Sequence, residues 1–254
     1  MAANRAGPPM IETEGLTKIF RDRKRGEVRA VDGLSLRCQP GQIYGLLGAN
    51  GAGKTTTLRM LATLLQPTAG TARVAGYDVA ERPQQVRASV GFLSAATALY
   101  GRLTARETVE YFGRLHGLDE PTLQRRLAEL FTTLAMREFS DRRCDKLSSG
   151  MKQKVSIART LVHDPPVMIF DEPTLGLDVM TARTIVGFIR DCRGRGKTVI
   201  FSTHVMSEAE KLCDTIGIIH NGRLLAEGTL PELRARCGGS DLEEIFVRVV
   251  GGAP

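Results

Sequence analysis

The chain has 254 residues, of which 42% are hydrophobic and 25% are charged, and its formal net charge is +7. This length suits one large α/β domain or two small ones, and the lack of a signal-like N-terminus or of any run near roughly 20 apolar residues predicts a soluble intracellular protein. Its 5 cysteines never show CxxC spacing, which argues against a disulfide framework and a zinc site.

The first 94 residues predict mainly β-strands. Five short segments are rich in apolar and β-branched residues, and these predicted strands are 11–20, 31–36, 43–47, 72–74 and 89–93. The basic run at 21–25 is short, is broken by an acid and lies between the first two strands, so we expect a solvated hairpin loop. It lacks the interleaved aromatic residues of a platform that stacks single-stranded nucleic acid. The third strand leads through a glycine-rich loop into a helix that begins near Lys54.

Residues 98–146 predict an α-helical insert. Thr104 and Glu107 form a capping box that opens one helix, and Pro121 suits the first turn of the next. Apolar residues repeat at helical spacing along both helices and predict their buried faces: Val109, Phe112 and Leu115, then Leu123, Leu127, Leu130, Phe131 and Leu134.

The second half alternates predicted helices with predicted strands, which is typical of a parallel sheet. The helices are 152–162, 179–192 and 206–213, and the strands are 167–170, 198–201 and 216–219. The continuous apolar run at 167–170 indicates a strand covered on both faces. Asn221 and Gly222 predict a late hairpin, and a C-terminal helix is expected from Asp241 onward.

The loop between the third strand and its helix has the pattern Gly, four residues, Gly, Lys, Thr. Its glycines let backbone amides point at phosphate oxygens, and the helix dipole adds to their attraction. Lys54 is expected to reach the outer phosphates and Thr55 to offer its hydroxyl to Mg²⁺. The predicted nucleotide-binding residues here are Gly48, Asn50, Gly51, Ala52, Gly53, Lys54, Thr55 and Thr56.

Three more polar residues are expected at the same edge of the sheet, where ligands of α/β proteins bind. Asp171 and Glu172 end the strand at 167–170, and His204 follows the strand at 198–201. We expect Asp171 to hold Mg²⁺, directly or through water, and Glu172 to orient or deprotonate an attacking water. His204 is expected to sense the terminal phosphate by a hydrogen bond.

A second turn, at 147–151, has the composition of a phosphate-facing turn but carries no lysine. Ser148, Ser149 and Gly150 precede a predicted helix, whose amide-rich start suits an anion. The chain therefore carries two unlike halves of a nucleotide site, which pairing with another copy or a relative would complete.

The ordered set of motifs resembles the ATP-binding subunits of ABC transporters over almost the whole chain. The matching segments are 48–55 for the Walker A loop, 147–151 for the signature, 167–172 for Walker B, 175–178 for the D-loop and His204 for the switch histidine. The resemblance implies an α/β fold with a P-loop NTPase (RecA-like) core, an N-terminal antiparallel β subdomain and an inserted α-helical subdomain. It also implies that residues 1–254 form a single domain with a C-terminal helical extension at about 239–254.

The resemblance also implies a Mg²⁺-dependent ATPase that pairs with an integral-membrane permease on the inner, cytoplasmic face of the cell membrane. A head-to-tail homodimer on ATP binding would bring Ser148 and Gly150 of one copy to the phosphate bound by Lys54 of the other. Asp178 is expected to contact nucleotide as well. Phe20 corresponds to the aromatic residue that stacks on adenine, although it could instead be a core residue of its strand.

Two departures from the family pattern stand out. A glutamine that contacts Mg²⁺ and relays to the membrane subunit is replaced here by Ala95, which leaves that contact in doubt. Ser149 and Met151 stand where Gly and Gln are commonest, a variation of exporter-type subunits. The segment 92–107 looks most like the sodium-efflux, Nat-type branch, which suggests export of Na⁺.

Two other functions fit parts of the sequence. The net positive charge suits an ABC-type ATPase that acts on nucleic acid or ribosomes. Such relatives need a long coiled-coil insert or a tandem second domain, which this chain lacks, so no nucleic-acid partner is expected. An ordinary P-loop kinase or GTPase would leave 147–151 unexplained, and the chain lacks an NKxD motif.

Overall fold

The computed structural model describes residues 8–22, 26–94 and 98–252, which form two β-sheets and their flanking helices. The strands are β1 (Ile11–Asp22), β2 (Gly26–Cys38), β3 (Ile43–Leu47), β4 (Ala69–Val74), β5 (Tyr77–Asp78), β6 (Val90–Ser94), β7 (Val167–Asp171), β8 (Thr198–Thr203), β9 (Thr215–His220) and β10 (Arg223–Gly228). The helices are α1 (Lys54–Leu61), α2 (Pro83–Ser89), α3 (Ala105–Leu115), α4 (Glu120–Thr133), α5 (Ser149–Leu161), α6 (Val179–Gly194), α7 (Met206–Leu212), α8 (Leu230–Cys237) and α9 (Leu242–Gly251). Within these ranges no helix combines the length and apolar character needed to span a bilayer.

The larger sheet has six strands in the order β10-β9-β3-β8-β7-β6, and only β10 runs antiparallel to its neighbour. Every residue of β3, β7 and β8 is buried, as expected for strands covered on both faces. The parallel register pairs Leu47 with Thr203 and Asp171 with Ser202. The carboxyl ends of these three strands therefore meet at one edge, as the sequence predicted.

The smaller sheet is antiparallel, with the order β2-β1-β4-β5. It contributes Ile11, Leu16 and Val31 to a buried cluster that also contains residues of β3 and α1. In the basic run, Arg21 and Asp22 belong to β1 and pair with β2, and 23–25 lie outside the described residues.

The helices of the segment after β6 begin as predicted. Thr104 and Glu107 make both hydrogen bonds of the capping box of α3, and α4 has proline in its first turn. Leu115 was expected on the buried face, but its side chain is 67% exposed, because it lies about 120° around the helix from Val109 at roughly 100° per residue. The predicted stripe of α4 is buried.

Some boundaries and elements also differ from the prediction. Ser89 is the last residue of α2, a helix not predicted, and the strand begins one residue later at Val90. The helix α8 was not predicted either, whereas the C-terminal helix begins immediately after its N-cap, Asp241, as expected. The hairpin at Asn221 and Gly222 is confirmed, with positive φ at both residues.

Candidate functional site

The glycine-rich loop runs from the end of β3 to the first residues of α1. Gly51 and Gly53 have φ of 81° and 105°, a conformation that a side chain would strain. Gly48 has no room for a side chain, since a Cβ there would lie 2.5 Å from the carbonyl oxygen of Ile219. The loop backbone is therefore held close to the sheet, and α1 begins at Lys54 with its amino end toward the loop.

Lys54 is buried, with 5% of its surface exposed, and its ammonium group lies against the loop that precedes it. Nζ donates to the carbonyl oxygens of Gly48 at 2.7 Å and Ala49 at 3.1 Å. It also forms an ion pair with Oε1 of Glu172 at 3.1 Å. A cation is thus fixed beside the backbone cradle, where phosphate oxygens would need it.

Asp171 is the last residue of β7, and its carboxylate accepts hydrogen bonds from hydroxyl groups of neighbouring elements. Its Oδ1 accepts hydrogen bonds from Oγ1 of Thr55 at 2.8 Å and Oγ of Ser202 at 2.9 Å, and its Oδ2 lies 3.5 Å from Oγ of Ser94. Carboxylate and hydroxyl oxygens are the ligands that Mg²⁺ prefers, so the Thr55 and Asp171 pair fits that ion.

Glu172 follows directly and has a φ of 48°, a left-handed conformation that is unfavourable for a glutamate. Its backbone amide donates to Oγ of Ser202 at 3.0 Å, which stabilises the turn. Its Oε2 lies 2.8 Å from Nδ1 of His204, while Oε1 contacts Lys54. The predicted catalytic residues Lys54, Glu172 and His204 therefore form one continuous chain of polar contacts.

Ser202 is a site residue that the sequence prediction did not identify. Its hydroxyl donates to Asp171 and accepts from the amide of Glu172, so one side chain fixes both acids. It is fully buried in β8. The available signal was the pair of small polar residues, Ser202 and Thr203, between the apolar strand and His204.

The second turn lies at the amino end of α5. The hydroxyl of Ser148 caps the helix by accepting from the amide of Met151 at 3.3 Å, and Ser149 and Gly150 are its first residues. Across residues 8–22, 26–94 and 98–252, no hydrogen bond or ion pair joins 148–150 to the loop at 48–55. Among the described residues, the two half-sites of one chain are therefore not joined by polar contacts.

Asp178 caps the next long helix, α6. Its Oδ1 accepts from the amides of Met180 and Thr181, both at 3.0 Å, and Oδ2 accepts from the hydroxyl of Thr181 at 2.7 Å. The Thr181 side chain, with these amides, lowers the pKa of Asp178 below its ordinary value, so the residue is an anion at neutral pH. The same hydroxyl would lie 3.2 Å from a Cβ at Gly150, so the starts of α5 and α6 are adjacent.

Phe20 lies near the end of β1, opposite Val28, and is 39% exposed. Its ring is therefore not a core residue, and Nζ of Lys18 lies 5.3 Å from its centroid. In the glycine-rich loop Asn50 is exposed and Ala52 is buried. Thr56 is half-buried on α1, and Ala95 lies outside the described residues.

Comparisons with known proteins agree on one family. A family model described as ABC transporter matches residues 31–175. The ABC transporter ATP-binding protein NatA of Bacillus subtilis is 41% identical over 239 residues, which cover 94% of this chain and 97% of that protein. Nod factor export ATP-binding protein I of Ralstonia nicotianae is 39% identical over 238 residues, which cover 94% of this chain and 73% of that protein.

A solved structure gives the same result for the fold. A dimeric ATP-binding cassette in a post-hydrolysis state, bound to ADP and Pi, has a TM-score of 0.79 and 25% identity, over 87% of this chain and 99% of that one. Together with the two-sheet architecture, this similarity confirms the predicted α/β P-loop NTPase fold.

Proposed function

Because this chain belongs to the family of ABC transporter ATP-binding subunits, we propose that it hydrolyses ATP to power export through a separate membrane permease. The observation that carries the proposal is the chain of contacts from Lys54 through Glu172 to His204, beside the Thr55 and Asp171 pair. These residues supply a cation for phosphate, a carboxylate for water and oxygens for a metal at one edge of the sheet.

In the proposed mechanism, ATP phosphates bind the amides of the glycine-rich loop, and Lys54 exchanges its contact with Glu172 for the outer phosphates. Glu172 then accepts a proton from the attacking water as the new bond to phosphorus forms and the bond to ADP breaks. His204 keeps Glu172 oriented by donating from Nδ1–H, and it donates from Nε2–H toward the terminal phosphate, which requires the imidazolium form because a neutral ring carries only one N–H. Thr55 and Asp171 would hold Mg²⁺, which offsets phosphate charge when bound.

The complete site is proposed to contain two copies of the chain. Three exposed apolar side chains surround the Asp178 cap, namely Leu175, Val179 and Met180, with exposures of 55%, 69% and 70%. Exposed apolar groups in one place favour an interaction surface. A head-to-tail dimer would cover them and bring Ser148, Ser149 and Gly150 of one copy to the phosphates at Lys54 of the other. The similar cassette is itself a dimer.

The permease is proposed to bind an aromatic surface on α3 and the residues before it. Tyr100, Tyr111 and Leu115 are 59%, 48% and 67% exposed, and the two tyrosine rings meet edge to face at 6.2 Å. A cavity of about 340 Å³ beside Tyr111 is lined partly by acidic residues. Docking here would hold the subunit at the inner face of the membrane.

The proposals of export and of a particular substrate rest on the similar proteins and on the sequence. One similar protein is named for export, and the segment 92–107 resembles the Nat-type branch, so we propose Na⁺ as the substrate. Transport relatives also disfavour the nucleic-acid alternative. ATP-dependent ²²Na⁺ movement in vesicles containing this chain and its permease would support the assignment, whereas ATP hydrolysis without Na⁺ movement would leave export of another substrate.

Nucleotide binding is tested separately from transport. Replacing Lys54 with Ala should weaken ATP binding by about tenfold or more, since a charge-assisted contact is lost. Lys211→Ala on the exposed side of α7 is the matched control and should bind as the parent does. Equal ATP affinity of the Lys54 variant and the parent in calorimetry would contradict the role of the loop.

A further inference from the structure

The back of the glycine-rich loop rests on two backbone segments, one from each sheet. Gly222, in the turn between β9 and β10, donates its amide to the carbonyl oxygen of Ala52 at 2.9 Å. On the β2 side, a Cβ at Gly53 would overlap the carbonyl oxygen of Ala30. The loop therefore has no free space behind it, and its shape depends on where these two segments lie.

Asp32 joins the two supporting segments. Its amide donates to the carbonyl oxygen of Gly222 at 2.9 Å. Its carboxylate accepts from Nε of Arg223 at 2.7 Å through Oδ2, and from Nη1 of Arg29 at 2.7 Å through Oδ1. Arg223 is the first residue of β10, so Asp32 holds the turn at two points, through its amide at Gly222 and through its carboxylate at Arg223.

The carboxylate is well placed to act as a fixed anchor. Only 16% of the Asp32 side chain is exposed, although the two arginine side chains are 57% and 67% exposed. Hydrogen bonding from Arg29, and then from Arg223, lowers the pKa of Asp32, so the group stays ionised at neutral pH.

We infer that Asp32 is a positioning residue for ATP, acting through Gly222 and Ala52 on the amides of the glycine-rich loop. This inference rests on the proposed function, since it takes the phosphates of ATP as the ligand of that loop. Asp32 lies behind the loop and touches no proposed ligand. Amides that are held in place before binding cost less entropy to order around phosphate. Removing the carboxylate should therefore weaken binding of ATP while leaving the chemical step nearly unchanged.

The chain offers a matched control. Glu12 and Arg37 form an ion pair of the same kind, with Nε 2.7 Å from Oε1 and 22% of the Glu12 side chain exposed. That pair joins β1 to β2, away from the loop. If ion pairs in the small sheet mattered only for stability, Asp32→Ala and Glu12→Ala would behave alike.

Two measurements on the full chain test the inference, and the first needs no nucleotide. Hydrogen–deuterium exchange of the peptide covering 48–57 should accelerate in Asp32→Ala and, to a smaller extent, in Arg223→Ala, but not in Glu12→Ala. The second measurement is ATP affinity and turnover. Asp32→Ala should raise the Kd for ATP about fivefold or more, with kcat at saturating ATP within about twofold.

The outcomes separate this inference from the proposed function. Unchanged exchange of 48–57 in both Asp32→Ala and Arg223→Ala would overturn the anchoring role, even if ATP binds normally. A parent chain that binds no ATP would instead refute the proposed function, while faster exchange in Asp32→Ala would still show the anchor. If Asp32→Ala fails to fold, Arg223→Ala decides the question, because its side chain is largely exposed.

Discussion

Lys54 and Glu172 form an ion pair between the first residue of α1 and the residue after β7, with Nζ 3.1 Å from Oε1. Both side chains are largely buried, at 5% and 15% exposure. While they are paired, the ammonium group is shared with a carboxylate and the carboxylate is not free to receive a proton from water. ATP binding would separate them. Lys54 would then be free to bind phosphate, and Glu172 would be free to accept a proton from water.

Replacing Glu172 with Gln should separate binding from hydrolysis. Lys54 would lose its anionic partner and keep two carbonyl contacts, so ATP should bind at least as tightly as in the parent. Turnover should fall by about 10²-fold or more, because the proposed base is lost. Calorimetry and phosphate release measure the two effects, and hydrolysis at the parental rate would rule out Glu172 as the base.

The same variant should also be less stable without nucleotide. Because the buried ammonium group of Lys54 would lose its charged partner, the free energy of unfolding should fall by about 1–3 kcal/mol. ATP binding should restore this stability. Urea unfolding with and without ATP measures this difference. Glu243→Gln, on the exposed side of α9, is the control and should change neither stability nor hydrolysis.

The two ring nitrogens of His204 have different proposed tasks. Asn at this position can keep a donor near Nδ1 for Glu172 but cannot reach the phosphate, whereas Gln can place its amide near Nε2. If the phosphate contact limits turnover, His204→Asn should lose about 10²-fold in kcat and His204→Gln should lose less. Steady-state kinetics measure this order, and the reverse order would show that holding Glu172 is the main task.

Strongly periodic or uniformly apolar segments made most of the fold predictable. The runs at 43–47 and 167–170 predicted apolar strands, the second of them covered on both faces, and parallel strands bring their carboxyl ends to one edge. Lys54, Thr55, Asp171 and Glu172 were therefore expected at the same edge of the sheet. The order of the strands, with β8 between β3 and β7, did not follow from any local pattern.

The features that sequence could not predict depend on tertiary contacts. Ser202 fixes both acids through one hydroxyl, and the small polar pair Ser202 and Thr203 does not by itself show that β8 lies beside β7. Leu115 fits a helical stripe by spacing but lies off its buried face. The domain limits, including the helical segment 98–146 and the extension at 239–254, stay predictions, as do the nucleotide contacts of 148–150.

Stability should depend on pH through a pair of stacked histidines. His163 follows α5, its ring lies 3.6 Å from that of His116, and its Nε2 is 3.2 Å from the carbonyl oxygen of Val90. Among the described residues its Nδ1 is buried without a partner. Burial, with the neighbouring His116, lowers the pKa of His163 from 6.5 to about 4, and burial also lowers the pKa of His116.

The direction of the pH effect follows from these lowered pKa values. Between about pH 6.5 and pH 4 the unfolded chain binds protons that the folded chain does not, so stability falls as pH falls. The slope from His163 is at most about 1.4 kcal/mol per pH unit. In urea unfolding across this range, His163→Gln should flatten the slope, and an unchanged slope would contradict the assignment.

The dimeric site makes the most demanding prediction, and mixed variants test it in a Glu172→Gln background. Adding Lys54→Ala should weaken ATP binding by one protein about tenfold or more, and adding Ser148→Arg should block the donated turn of the other. Neither protein should dimerise with ATP alone. Mixing them leaves one complete site, formed by the loop of one copy and the turn of the other.

The decisive measurement is light scattering of that mixture with ATP, combined with a count of bound nucleotide. A dimer should form only on mixing and should hold one ATP. A mixture that stays monomeric while the Glu172→Gln parent dimerises, or a Ser148→Arg protein that dimerises by itself, would contradict a site shared between Lys54 and Ser148.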